Sequence, residues 1–271
     1  MNKEKVMKMV EDPRYISGIY NYCDRWCERC EFTSRCLNYA FGQEEEKAMD
    51  PKARDSKNKE FWDHLSGIFA LTMEMITDYA KENNIDLNSD DVELRKEMRK
   101  LKRRATSTVI SRQSHEYAIF LHKWLKSKEP MFEAKSKSLI ALAESGVAED
   151  EIEQQAREIA DACEVVRWYQ FQIHVKLVRA QHQEPHEIAD LKIDRQDGDG
   201  SAKVALIGID RSIAAWGILR KYFAEEADAI LDILIDLDRL RRRIEKKFPH
   251  ARRFIRPGFD EPVREKGKKK S

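Results

Sequence analysis

Glycine and proline are scarce in this chain of 271 residues, at ten and seven. Turn-formers this few, beside 37% charged residues, point to long helices with polar faces. No alternating strand pattern flanked by turns competes, and no internal repeat is visible. Cysteine is also scarce. There are five, and four of them share one short run, which is the wrong distribution for a secreted framework whose bridges tie distant segments. A chain of this length buries a core without disulfide staples, as one large domain or two ordinary ones. No run of eighteen apolar residues occurs, and the N-terminus lacks the apolar stretch and small-residue cleavage site of a signal peptide. These absences lead us to expect a cytoplasmic protein with no membrane partner.

An excess of either charge is missing too. Fifty basic residues face forty-nine acidic ones, giving +1, so no global field draws nucleic acid or membrane towards the chain. Basic residues do cluster locally, at 95–104, 239–247 and 264–270. Solvated helix faces and a frayed tail are the plain reading of such runs. A nucleic-acid surface is the sharper one, and a protein partner is expected in either case.

What the chain does have is Cys23, Cys27, Cys30 and Cys36, with three, two and five residues between them. At these spacings every sulfur can turn towards one centre, as a tetrahedral zinc ion or a cubane iron-sulfur cluster demands. Zinc knuckles usually join two Cys-x-x-Cys pairs across a dozen or more residues, and only Cys27 and Cys30 form such a pair here. One contiguous run is closer to the wrapping of a single [4Fe-4S] cluster, so the cluster is preferred and zinc is the alternative. Arg25, Arg29 and Arg35 are placed to offset the thiolate charge. Tyr15, Tyr20, Tyr22, Trp26, Phe32, Tyr39 and Phe41 supply rings able to wall the centre off from water.

The segment Cys27-Glu-Arg-Cys30-Glu-Phe32-Thr-Ser-Arg-Cys36 resembles the Cys-x-x-Cys-x-Phe-x-x-x-Cys segment of iron-sulfur nucleases of the CRISPR-associated and recombination-repair exonuclease families. The resemblance covers about ten residues and implies cluster ligation by Cys27, Cys30 and Cys36. It does not extend to the activity, because the family's fourth cysteine is remote whereas Cys23 is adjacent, and no strand-borne Asp and Glu-x-Lys pattern is present. Cys23, Cys27 and Cys30 also match the radical S-adenosylmethionine spacing, but that chemistry lives in an α/β barrel this chain cannot build.

Hydrophobic periodicity divides the rest. Residues 1–42 form the four-cysteine metal-binding module, and 43–59, with three consecutive glutamates and Pro51, read as a polar linker. Residues 60–248 form the helical body. One helix follows from Glu60, and a second runs from about Asp90 to Pro130, which stops or bends it. A short third helix ends at Gly146. A fourth, central one with two apolar stripes spans about 150–183, and a last one runs from Ala202 to Lys247, capped by Ser201 after a turn at 196–201. The tail, 249–271, lacks the apolar surface to order itself except by docking. The expected architecture is an all-α bundle of four to five long helices with the N-terminal four-cysteine module.

A candidate second site lies in the body. His64 and His174 fall on apolar faces, His115 shares a face with Ile119, and Asp210 sits among Ile207, Ile209 and Ile213, where an ion-pair partner such as Arg167 or Arg112 is needed. Glu-x-x-His pairs of a di-metal carboxylate centre are absent. His182 and His186 have ligand-like spacing but flank Pro185 in a polar exit. Asp197-Gly-Asp199-Gly-Ser201 is read as a turn and cap, Asp228, Asp232 and Asp236 as a solvated face, and Cys163 as a core residue. The functional expectation is a metal-binding module for protein or nucleic-acid assembly. The alternative is an iron-sulfur redox enzyme with a pocket lined by His64, His115, His174 and Asp210.

Overall fold

The computed structural model describes residues 2–87, 92–146, 149–182 and 195–261, and among them every regular element is a helix and none is a strand. By internal contact the chain divides into two compact units, Met1–Lys96 with Arg256–Ser271, and Glu97–Ile255. This differs from the expected boundary at 59/60, because the helix that follows Lys59 belongs with the N-terminal segment.

The first unit contains α1 (Lys3–Val10), α2 (Leu37–Ala48) and α3 (Lys59–Glu82). Asn2 caps α1 by accepting from the Lys5 backbone N–H at 3.0 Å. α2 runs through about a third of the expected linker, since residues 43–48 carry good helix formers and only Met49-Asp50-Pro51 ends them. Asp50 then caps a short 3-10 turn, Pro51–Arg54, by accepting from the Lys52 N–H at 2.8 Å. α3 has the expected periodicity, yet within it only Ala80 is fully buried, and Trp62, Phe69, Met73 and Tyr79 are more than half exposed.

The second long helix expected from sequence is two. α4 (Val92–Ser107), within which the division between units falls, gives way to α5 (Val109–Ser127) at Thr108, whose hydroxyl accepts from the Ser111 N–H at 3.1 Å. α6 (Glu129–Glu144) follows after Lys128. Pro130 stands in its first turn, where a missing N–H costs nothing, so this proline opens a helix instead of stopping one. α7 (Glu149–His182) is the expected central helix and packs on two sides, but the second expected apolar stripe is not buried: Phe171 and Val175 are 46% and 60% exposed, and stripes of other residues, one largely polar, meet its two partners.

One stripe faces α5 through an antiparallel series of polar links. Gln181 Nε2 donates to Ser111 Oγ at 2.7 Å, Ser114 Oγ lies 3.0 Å from His174 Nδ1, and Gln170 Nε2 donates to the Ala118 carbonyl at 2.9 Å. The other stripe faces α8 (Arg195–Tyr222), also antiparallel, with Arg179 on Asp197 at 3.1 Å near one end and the Tyr222 hydroxyl donating to Glu158 at 2.6 Å near the other. Between them Val166, Tyr169, Ile173, Leu177, Leu206, Ile209 and Trp216 are at most 1% exposed, and each contributes roughly 1.5–3 kcal/mol by burial.

α8 starts about two turns before the expected Ala202, so the Asp197–Ser201 segment lies inside a helix and not in a turn. The expected last helix also breaks. Buried Phe223 leaves the helical path, a 3-10 turn follows at Ala224–Glu226, and α9 (Ala227–Lys247) completes the unit with Ile230, Ile233, Leu237, Leu240 and Ile244 inward. Pro249 does not end the ordered chain. Ala251 is fully buried in a 3-10 turn, and Lys203 Nζ holds the Phe254 carbonyl at 2.7 Å. Residues 249–261 thus order by docking, the exception left open for the tail, while 262–271 lie outside the described residues.

Candidate metal centre

Tight turns, and no regular element, position the four cysteines. A 3-10 turn at Ile19–Asn21, entered through left-handed Gly18 (φ 73°), brings Cys23 inward. Asp24 accepts from the Trp26 N–H at 3.2 Å, and Arg25 takes a left-handed conformation (φ 56°) that folds the chain back on itself. Cys27 opens a second 3-10 turn, Cys27–Arg29, and Cys30 ends it. A third, Thr33–Arg35, places Cys36 at the N-cap of α2, and the Ile16 N–H on the Arg35 carbonyl at 3.0 Å ties the start of this loop to its end.

The result is one small hollow, with open space of about 20 Å3, that all four cysteines line. Trp26, 4% exposed with the Arg29 guanidinium stacked 4.1 Å from its ring, forms part of the wall, with Ile19, Phe32 and Tyr39. All five cysteines lie among the described residues and form no disulfide. The backbone N–H of Phe32 points at Cys30 Sγ, 3.4 Å away, as an N–H does when it stabilises thiolate charge. Burial pushes the Cys27 thiol up, and the neighbouring Cys23, Cys36 and Cys30, with Glu28, push it further, so the sulfurs crowd one another. Arg25, Arg29 and Arg35 stand exposed around the loop.

A single zinc ion needs four sulfurs about 2.3 Å from one point. Among the described residues no group of three or more His, Cys, Asp or Glu is gathered so as to hold a metal ion. The four thiols line one hollow without forming a coordination set for either a zinc ion or a cluster.

The hollow has a wall that sequence reasoning missed. Phe259, in the tail, lines it and meets Phe32 edge-on with ring centroids 5.0 Å apart. Gly258 makes this possible. Its φ of 78° suits glycine, and a Cβ there would lie 2.9 Å from Ile16 and 3.0 Å from Ile19. Arg256 pairs with Asp260 at 3.0 Å and covers the Phe259 ring at 4.7 Å. The Pro257-Gly258 turn was the only signal in the sequence.

The chain matches no protein-family model, no curated protein and no solved structure. The resemblance to iron-sulfur nucleases thus stays with the ten residues that carry it.

The residues of the candidate second site have partners of their own. His115 and His174 come together, ring centroids 5.2 Å apart, and the His174 imidazole is held below its ordinary pKa by burial first and by His115 next. His64 belongs to the other unit and faces Glu45 of α2 at 3.3 Å, in a cleft of about 380 Å3 lined by α1, α2 and α3. Asp210 is neither fully buried nor paired with Arg167 or Arg112. Its carboxylate takes two hydrogen bonds from Arg252, and Arg241 lies 3.6 Å away, because α9 and the turn after it pass over this side of α8.

Elsewhere Cys163 is partly buried, with its thiol pushed up to about 11 by burial. The basic run 239–247 is largely paired, Arg239 with Asp236, and Arg241 and Arg242 with Asp238. Segment 95–104 lies on α4, whereas 264–270 and His186 fall outside the described residues. No helix among the described residues is long and apolar enough to cross a membrane.

Proposed function

We propose that this chain is a metal-binding, all-helical protein whose N-terminal four-cysteine module holds a [4Fe-4S] cluster and whose body, a bundle of long helices, is an assembly surface for a protein partner. One observation carries the reading: Cys23, Cys27, Cys30 and Cys36, with no disulfide among them, line a single hollow. These four would hold the cluster. When bound, it would supply a stiff crosslink of the loop and a one-electron centre whose potential its surroundings set. The protein's part is to exclude water with Trp26, Phe32 and Phe259, to donate the Phe32 N–H to Cys30, and to offset thiolate charge with arginines at the rim.

Zinc is the alternative and has less behind it, since only Cys27 and Cys30 form the Cys-x-x-Cys pair that zinc knuckles use twice. A redox enzyme centred on His64, His115, His174 and Asp210 also has less behind it, since an arginine pair and a glutamate already occupy Asp210 and His64.

Protein purified without oxygen or chelator should be brown, absorb near ~400 nm, bleach on reduction and carry about four iron and four sulfide per chain. Alanine at any of the four cysteines should lower that content, and Cys163→Ala should leave it. One zinc per chain with no iron would overturn the cluster, and neither metal in stoichiometric amount would overturn the reading entirely.

A further inference from the structure

α5 and α9, both in the second unit, leave between them a groove of about 530 Å3. Its floor is apolar, with Tyr117, Ile233, Leu237 and Leu240 buried beneath Phe120, which is 49% exposed. Its polar lining is one-sided. Glu116 of α5 and Asp232 and Asp236 of α9 stand along it, and no lysine or arginine does. Arg239 engages Asp236 at 3.4 Å, whereas Glu116 and Asp232, both exposed, meet no cation among the described residues. At one end the side-chain carbonyl oxygen of Gln113 is buried with no hydrogen-bond donor.

We propose that this groove receives an amphipathic helix of a partner protein, apolar on the buried face and bearing lysine or arginine at its edges. The inference rests on the assembly reading above and supplies the partner's chemistry. Length fits. The lining positions run from Ala229 to Leu240 on α9, about three helical turns or ~16 Å, and from Gln113 to Phe120 on α5, about two. A docked helix can seat anchors one turn apart on the exposed Phe120 and the Ile233-Leu237 floor.

Charge selects among the occupants. Phosphates are repelled by the carboxylates, so nucleic acid is excluded from this place. An uncharged apolar helix would take Glu116 and Asp232 out of water with no partner. The chain's own basic residues 264–270 include no apolar side chain to cover the floor. A second copy would offer the basic α4, but its Leu101 and Ala105 are already buried at 2% exposure.

The test uses the full chain and two fluorescein-labelled helical peptides, one of leucine and lysine on amphipathic spacing and a matched one of leucine and glutamate, read by anisotropy. The lysine peptide should bind and the glutamate peptide should not. Glu116→Gln with Asp232→Asn should weaken binding at least tenfold, about 1.4 kcal/mol. Phe120→Ser should weaken it while leaving the helical circular dichroism in place, and Asp228→Asn, outside the groove, should change nothing. Equal binding of both peptides, or wild-type binding by the double variant, would overturn the proposal. So would a dimer in sedimentation that Phe120→Ser dissolves, since the groove would then hold a second copy. Iron measured on the same samples separates the two readings: an iron-free protein that binds the lysine peptide sinks the cluster alone.

Discussion

Glu158 accepts hydrogen bonds from the Tyr222 hydroxyl, Gln154 and Lys221, and the first of these does most to hold its carboxyl at about 2, well below the usual carboxylate range. A carboxyl depressed in the folded state favours folding above its unfolded pKa near 4.5, and that advantage is lost as pH falls from there towards about 2. Glu158→Gln should therefore lower the thermal midpoint at pH 7, and the gap to wild type should close across that window. A gap that stays constant with pH would mean that the charge is irrelevant. Nothing at 158 announces this role in the sequence, because its principal partner lies 64 residues away. Asp210 carries the same lesson. Its need for a cation was legible from its apolar neighbours, but Arg252 lies in the segment read as tail, so the partner was not.

Elements were read well where periodicity is long and badly where one residue changes the local rule. The inward faces of α5 and α7 follow spacings visible in the sequence, whereas α3 keeps its apolar period with little of it buried, and the breaks at Thr108 and Phe223 interrupt patterns that continue on both sides. α2 was hidden by its polar composition, and with it Glu45, the partner of His64.

Two glycines of α8 test how tightly these elements meet. A Cβ at Gly208 would lie 2.8 Å from the Tyr169 ring and 3.2 Å from Ile173, so Gly208→Ala should destabilise by ~1–3 kcal/mol through overpacking. Gly217, with open space around it, should respond with the opposite sign, gaining roughly 0.5–1 kcal/mol as alanine from helix propensity. Urea unfolding of both variants checks the pair, and equal signs would mean that α7 and α8 approach less closely.

For the whole molecule, cysteine spacing disclosed that four sulfurs could share a hollow but not that the far end of the chain walls it. Composition showed a tail poor in apolar residues, and the few it has, Phe254, Ile255 and Phe259, were too sparse to register as an element. Gly258→Ala should open the hollow by displacing Phe259, since both the left-handed backbone and the contacts with Ile16 and Ile19 forbid a side chain. Faster amide exchange at Ile19, and faster iron release to a chelator from metal-loaded protein, would show it. Unchanged rates on both counts would make the tail a bystander.

Phe259 emerges from the ribosome more than two hundred residues after Cys36. During synthesis the thiols are thus made early and their lid late, which leaves an interval in which they stand open on a side that the finished molecule closes.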